Sequence, residues 1–190
     1  MAKKSVLLIL ILFLIPLQTA CSLPEAANAI PTDDFVLSAD ESGADSHELF
    51  DRYASLFEKH YSSDDFGGFW SDSSGYYINI VKGNQKNDSI LEFVKACNDA
   101  LAAAGRKDAM ITALFVDFSL KELYDTSTSL GKFHEEIGYD SSGVAVDRNR
   151  IIVTFHADEL QSEYEQRLKK HNLLAQCMIR ITPIKEEIVY

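Results

Sequence analysis

Five histidines and three cysteines are the side chains best suited here to nucleophilic, acid–base or metal chemistry. A hydrolytic nucleophile needs a base and an orienting group within reach. His47, His60, His134, His156 and His171 lie in or beside segments of helical periodicity, and none stands in a Ser or Cys nucleophile motif. His60, His134 and His171 fall on apolar stripes, where a half-buried packing role is expected. His156 follows a strand and reads as a cap or packing residue. No His-Glu-x-x-His run is present. Cys97 and Cys177 lack the close Cys or His partners of a zinc site. The acidic pairs Asp33-Asp34, Asp40-Glu41 and Asp64-Asp65 lack the alternating oxygen ligands that a calcium loop arranges around a sharp Gly turn. Asp147-Arg148-Asn149-Arg150 fails the same test and reads as a hairpin turn. The chain is therefore read as non-enzymatic, with no catalytic residue, metal ligand or cofactor.

The third cysteine points to processing. Ala2-Lys3-Lys4 is a short positive segment, and Val6–Ile15 is an uninterrupted apolar run, too short for a comfortable membrane span. Leu17-Gln18-Thr19-Ala20-Cys21-Ser22 then resembles a bacterial lipoprotein processing box, with small residues before a cysteine. Gln18 stands where an aliphatic residue is usual. In this reading the mature chain begins at Cys21, whose thiol carries the lipid. The alternatives are an ordinary secretory signal cut after Ala27-Asn28-Ala29 and an uncleaved anchor. Residues 21–45, rich in Ala, Pro, Ser, Asp and Glu, read as a flexible tether. With Cys21 lipidated, Cys97 and Cys177 are left as a possible disulfide in an oxidising compartment, or as two buried thiols.

Charge narrows the partners. The net charge is −11, and it becomes more negative once Lys3 and Lys4 are removed. Phosphate binding needs Lys/Arg clusters, so nucleic acid is excluded, and electrostatic adhesion to anionic lipid is disfavoured. A basic partner surface is compatible. Hydrophobic residues make up 46% of the chain, enough for a real core.

The elements that would position a site follow from periodicity. Phe66–Lys82 (FGGFWSDSSGYYINIVK) reads as a β-hairpin turning at Ser73-Ser74-Gly75, with a bulge at Gly67-Gly68. Its aromatics Phe66, Phe69, Trp70, Tyr76 and Tyr77 cannot all be buried in a small two-layer domain. They are the candidate protein-binding residues, together with Tyr190 in the C-terminal tail. Helices are expected over Ser46–Tyr61, Ser89–Ala104, Leu120–Ile137 and Ala157–Ala175. Asp45 or Ser46 is expected to cap the first, Asp88 or Ser89 the second, and a Ser119–Glu122 capping box the third. Strands are expected over Ala109–Ser119 and Cys177–Thr182, and a second hairpin over Gly143–Phe155. The order is a helix, ββαβ, a linking helix, then ββαβ again. The fold class expected is α+β: two ββαβ repeats with small, mainly antiparallel sheets and packed helices. The boundaries expected are 1–20 for the signal, 21–45 for the tether, 46–138 for the first unit and linking helix, and 139–190 for the second unit and a short tail.

Three segments carry a family resemblance. Phe66-Gly67-Gly68-Phe69-Trp70-Ser71-Asp72 resembles the aromatic-Gly-Gly-aromatic-x-Asp opening of the prodomains of alpha-lytic protease and streptogrisin-type secreted serine proteases. Phe118-Ser119-Leu120-Lys121-Glu122-Leu123 is similar to their tyrosine-Ser-x-x-Glu-Leu helix start. Gly143–Val153 is similar to their strand with Val-Asp-x-x-x-Asn-Arg. The resemblance spans Leu49–Thr182. Such prodomains assist the folding of an attached protease and inhibit it, in part through a C-terminal tail, and related stand-alone domains occur in exported Gram-positive proteins. No Gly-Asp-Ser-Gly-Gly motif occurs in these 190 residues, so any client is expected to be a separate protein. The function expected is a binding or regulatory domain anchored at the outer face of the cell membrane, binding or inhibiting an extracellular protease or another exported protein. The alternative is a structural or envelope-maintenance lipoprotein, and the alternative location is secreted.

Overall fold

The computed structural model describes residues 43–156 and 160–182. The expected signal, Cys21, most of the tether, and the tail with Tyr190 lie outside the described residues. None of the described helices is long and apolar enough to cross a membrane.

Helix α1 (Ser46–His60) starts at Asp45, whose carboxylate accepts the backbone N–H groups of His47 and Glu48 at 2.7 and 3.1 Å. These are two of the donors that a helix start leaves unpaired. Leu49, Phe50, Tyr53, Leu56 and Phe57 form its buried face. His60 lies outside that face, exposed in the last turn.

Strands β1 (Phe66–Asp72) and β2 (Gly75–Val81) pair antiparallel, with a register shift between Phe66 and Gly68 where the bulge is expected. Gly75 takes φ +151° in the turn, and Asp72 Oδ1 accepts the Ser74 N–H at 2.7 Å. Phe66 and Phe69 share the inner face with Ile80 and Ile78.

Helix α2 (Asn87–Ala103) begins earlier than its expected cap. Its N-cap is Lys86, whose N–H is taken by Asn84 Oδ1 at 2.8 Å, while the Ser89 hydroxyl donates back to the Lys86 carbonyl. The serine thus acts inside the first turn rather than ahead of it. Asn98 ties the helix to the next strand, with its amide exchanging two hydrogen bonds with the Ile111 backbone at 2.8 and 2.9 Å. Strand β3 (Ile111–Val116) lies parallel to β2.

Helix α3 (Leu120–Lys132) opens with the expected Ser119–Glu122 capping box. The continuous helix expected to Ile137 breaks at Phe133, and a single turn, α4 (His134–Ile137), follows. Thr128 and Ser129 donate back to the Tyr124 and Asp125 carbonyls, and Gly131 has poor helix propensity, so the last turns are weakly held. Strand β4 (Ser141–Ala145), a 3₁₀ turn over Val146–Arg148 and strand β5 (Arg150–His156) form the second hairpin. Helix α5 (Gln161–Lys170) is shorter than expected, and Ala157, the expected start, lies outside the described residues. Strand β6 (Cys177–Thr182) runs parallel to β5.

The sheets are ordered β1-β2-β3 and β4-β5-β6. The architecture is α+β, with two ββαβ-like units and packed helices. The mainly antiparallel expectation is corrected, because each sheet is mixed. The helical crossover returns the third strand parallel to the central one, as such crossovers do.

The repeat is also longer than ββαβ. α1 and α2 cover the inner face of the first sheet through Phe57, Phe93, Ile78 and Ile80. In the second unit, Leu123 of α3, Ile137 of α4 and Leu168 of α5 join Ile151, Val153 and Phe155. The linking helix therefore belongs to the second core, and the repeated element is αββαβ.

Candidate recognition surface

The three segments that carried the family resemblance meet in space. Gly67 and Gly68 lie against the turn of the second hairpin and the end of β3. A Cβ on Gly67 would stand 2.8 Å from Val116 Cγ2 and 2.9 Å from Asn79 Cβ, and one on Gly68, at φ +107°, would stand 2.6 Å from Val146 Cγ1. Only glycine admits this approach.

Asn149, 3% exposed, takes the left-handed conformation at φ 50°. Its Oδ1 accepts the N–H groups of Asp117 and Phe118 at 3.1 and 2.9 Å, and its Nδ2 donates to the Phe118 carbonyl at 2.7 Å. Asn79, 1% exposed, donates through Nδ2 to the Val146 carbonyl at 2.7 Å and accepts Trp70 Nε1–H at 3.1 Å. Every one of these amide atoms has a partner, as buried polar groups require. At the rim, Asp117 accepts from Lys82 Nζ at 2.7 Å and Arg150 Nη2 at 3.1 Å, which holds its carboxyl below the usual range, Lys82 contributing most. The Arg150 guanidinium lies 4.7 Å from the centre of the Phe118 ring. These groups form the joint between the two units.

The candidate aromatics divide across the first sheet. Phe66 is buried in the first core, and Phe69 packs against that core. Tyr76 also packs there, with its ring 4.8 Å from that of Phe50. Trp70 and Tyr77, paired across the hairpin, point to the opposite face, where their rings stack at 4.0 Å with a 16° interplanar angle. Both are partly exposed. Strand register places Thr112 beside Tyr77 on that face and the exposed Leu114 one row away. Beside Trp70, residues Phe69–Asp72 of β1 and Val144–Asp147 bound a shallow cleft of about 440 Å³. β1 and β4 are each edge strands, so two strand edges border one cleft. Among the described residues, its charged lining residues are Asp72 and Asp147.

The thiols stand apart from this surface. Cys97 is buried in the first core, and Cys177 packs against the second; both are free, so the possible bridge between them is not formed. Burial pushes the Cys177 thiol up to about 12 and the Cys97 thiol higher still, which makes both poor nucleophiles.

Nor do the histidines converge. His47 stacks beside Phe50 and Tyr76 on α1, His134 meets the Tyr139 ring edge-on, and His171 stacks on Phe133 with Glu136 at 3.3 Å. His156 has neighbours that periodicity did not signal. Its Nε2 is 3.1 Å from Asp140 Oδ1, and its Nδ1 is 3.5 Å from Thr182 Oγ1. Asp140 and Thr182 reach it only through strand pairing, so register was the one route to finding them. The Thr182 hydroxyl also donates to the Phe155 carbonyl at 3.2 Å, which ties it to the strand that carries His156. Among the described residues, no group of three or more His, Cys, Asp or Glu is placed to hold a metal ion.

No family model matches the chain, and no curated protein matches it.

Proposed function

We propose that this chain is a non-enzymatic binding or regulatory domain, held at the outer face of a bacterial cell membrane by a lipid on Cys21. Its recognition surface is the outer face of the first hairpin. The observation that carries the reading is the stacked Trp70–Tyr77 pair, partly exposed beside a cleft bordered by two strand edges. Large rigid aromatics of this kind lose little conformational entropy on docking and dominate protein interfaces. The acidic charge of the chain supports a basic partner surface. The likeness of three segments to secreted-protease prodomains supports an extracellular protease as that partner.

The test combines anchoring and recognition. Radiolabelled palmitate incorporation is expected into the wild type and not into Cys21→Ala. Among proteins exported by the same cell, a partner is expected to be retained by the wild type and released at least tenfold more readily by a Trp70→Ala/Tyr77→Ala double variant of unchanged circular dichroism. Equal retention by the two proteins would refute the assigned surface.

A further inference from the structure

The cleft beside Trp70 also specifies the chemistry of what it takes. We propose that it binds an extended cationic segment of a partner protein, laid as an added strand along the free edge of β1 at Phe69–Asp72. This rests on the recognition surface proposed above and adds the class of guest.

Shape is the first argument. β1 pairs with β2 on one side only, and Val146 packs closely against it at Gly68. From Phe69 to Asp72 its other side opens into the cleft. Four strand residues span about 13 Å, the length of a short added strand. A second wall from Val144 to Asp147 faces this edge, so the guest lies between the units and touches both.

Charge is the second argument. Asp72 and Asp147 are both exposed, one on each wall, and no Lys or Arg among the described residues lines the cleft. Asp72 uses Oδ1 on the Ser74 N–H, and Asp147 Oδ2 lies 3.2 Å from Arg148 Nε. Among the described residues, each therefore keeps an oxygen for a guest cation. The Trp70 indole, backed by Tyr77, lines the same cleft and offers a π face, on which a guanidinium binds well. An acidic or neutral strand would gain the backbone pairing but none of these terms.

The chain contains one tryptophan, so intrinsic indole fluorescence reads this site alone. The full chain in a neutral detergent is titrated with acetyl-Val-Arg-Val-Arg-Val-amide and, separately, with acetyl-Val-Glu-Val-Glu-Val-amide. The Arg peptide is expected to perturb Trp70 with a Kd about tenfold or more below that of the Glu peptide at low salt. The preference is expected to shrink as salt rises. Asp72→Asn/Asp147→Asn keeps the turn acceptor at 72, and is expected to reduce the preference to about threefold or less while circular dichroism is unchanged. Equal binding of the two peptides, no response to either, or an undiminished preference in the double variant would overturn the proposal. So would a dimer by sedimentation that is lost in Trp70→Ala, since a second copy would then fill the cleft. If Trp70→Ala/Tyr77→Ala releases the exported partner but Asp72→Asn/Asp147→Asn does not, the recognition surface stands and the cationic guest fails.

Discussion

Removing the Asn149 side chain tests the joint most directly. Asn149→Gly deletes three hydrogen bonds and leaves the Asp117 and Phe118 N–H groups facing a buried gap. Each bond contributes about 1 kcal/mol net, so the loss is about 3 kcal/mol. Glycine accepts the left-handed backbone at φ 50° without strain. Asn149→Ala loses the same bonds and adds a Cβ there, at a further cost of about 1 kcal/mol. Asn149→Asp keeps the acceptor but sets a carboxylate against the Phe118 carbonyl, and is expected to fall near Asn149→Gly. A domain of this size has about 5–15 kcal/mol of stability, so all three variants should fold. Urea unfolding, followed by Trp70 fluorescence and far-ultraviolet circular dichroism, gives the order wild type, Gly, Ala. Trp70 bonds to Asn79 and Asn79 to Val146, so the indole reports on the joint. An Asn149→Gly variant within about 0.5 kcal/mol of the wild type, or an Ala variant more stable than the Gly one, would refute the assignment.

Gly68→Ala combines backbone strain of about 1–3 kcal/mol with overpacking of similar size against Val146. Thermal melts of Gly68→Ala, Val146→Ala and the double variant should show that the second change recovers the overpacking and leaves the strain; a cycle with no coupling would remove the contact from the account. Asp65 gives a pH signature. Burial raises its carboxyl pKa, but the Lys86 ammonium at 2.8 Å and the Ser62 N–H and hydroxyl outweigh that and hold it below the usual value. Its folded value is depressed, so its contribution is present above about pH 4 and is lost as pH falls through the folded value. Asp65→Asn should therefore be less stable at neutral pH, and its melting temperature should fall less steeply than the wild type's on acidification. Cys97 and Cys177 should resist a thiol reagent in the native protein and react as two thiols in urea without reductant. Rapid native labelling, or fewer than two thiols on unfolding, would contradict their placement.

Much of the fold was legible because local signals agreed. The α1 stripe, the Asp45 cap, the Ser119–Glu122 box, the Gly67-Gly68 bulge and the strand at Cys177 each rest on neighbours in the chain. Other features depend on distant residues, or on nearby side chains that turn back onto their own backbone. The parallel pairing of β2 with β3 needs the crossover in three dimensions, so alternation alone did not reveal a mixed sheet. The early start of α2 depends on Asn84 and on Ser89 turning inward, and the stop at Phe133 depends on hydroxyls bonding back within α3. The helical stripe through His60 ran one residue past the buried face. At the candidate site, the aromatics were visible as a group, but their division into core and outer face required the bulge to set which side Trp70 takes. Asn79 and Asn149 carried no signal beyond turn or strand propensity, because the partner across the joint lies 67 residues away for Asn79 and the partners of Asn149 lie 31–32 away.

The distance between Asn79 and Val146 has a consequence for how the protein is made. An exported chain crosses the membrane N-terminus first, and its N-terminal elements can begin to fold before the rest has emerged. The first αββαβ element is finished at Val116, with its own core available to close. Its Asn79 amide, the glycine bulge and the end of β3 must nevertheless wait until the Val146–Asn149 turn has emerged. During that interval the first element offers an unsatisfied polar groove beside an aromatic pair. A chaperone at the outer face of the membrane has its clearest target there, and a chain truncated between residues 116 and 146 should yield a collapsed but sticky species rather than an independent half.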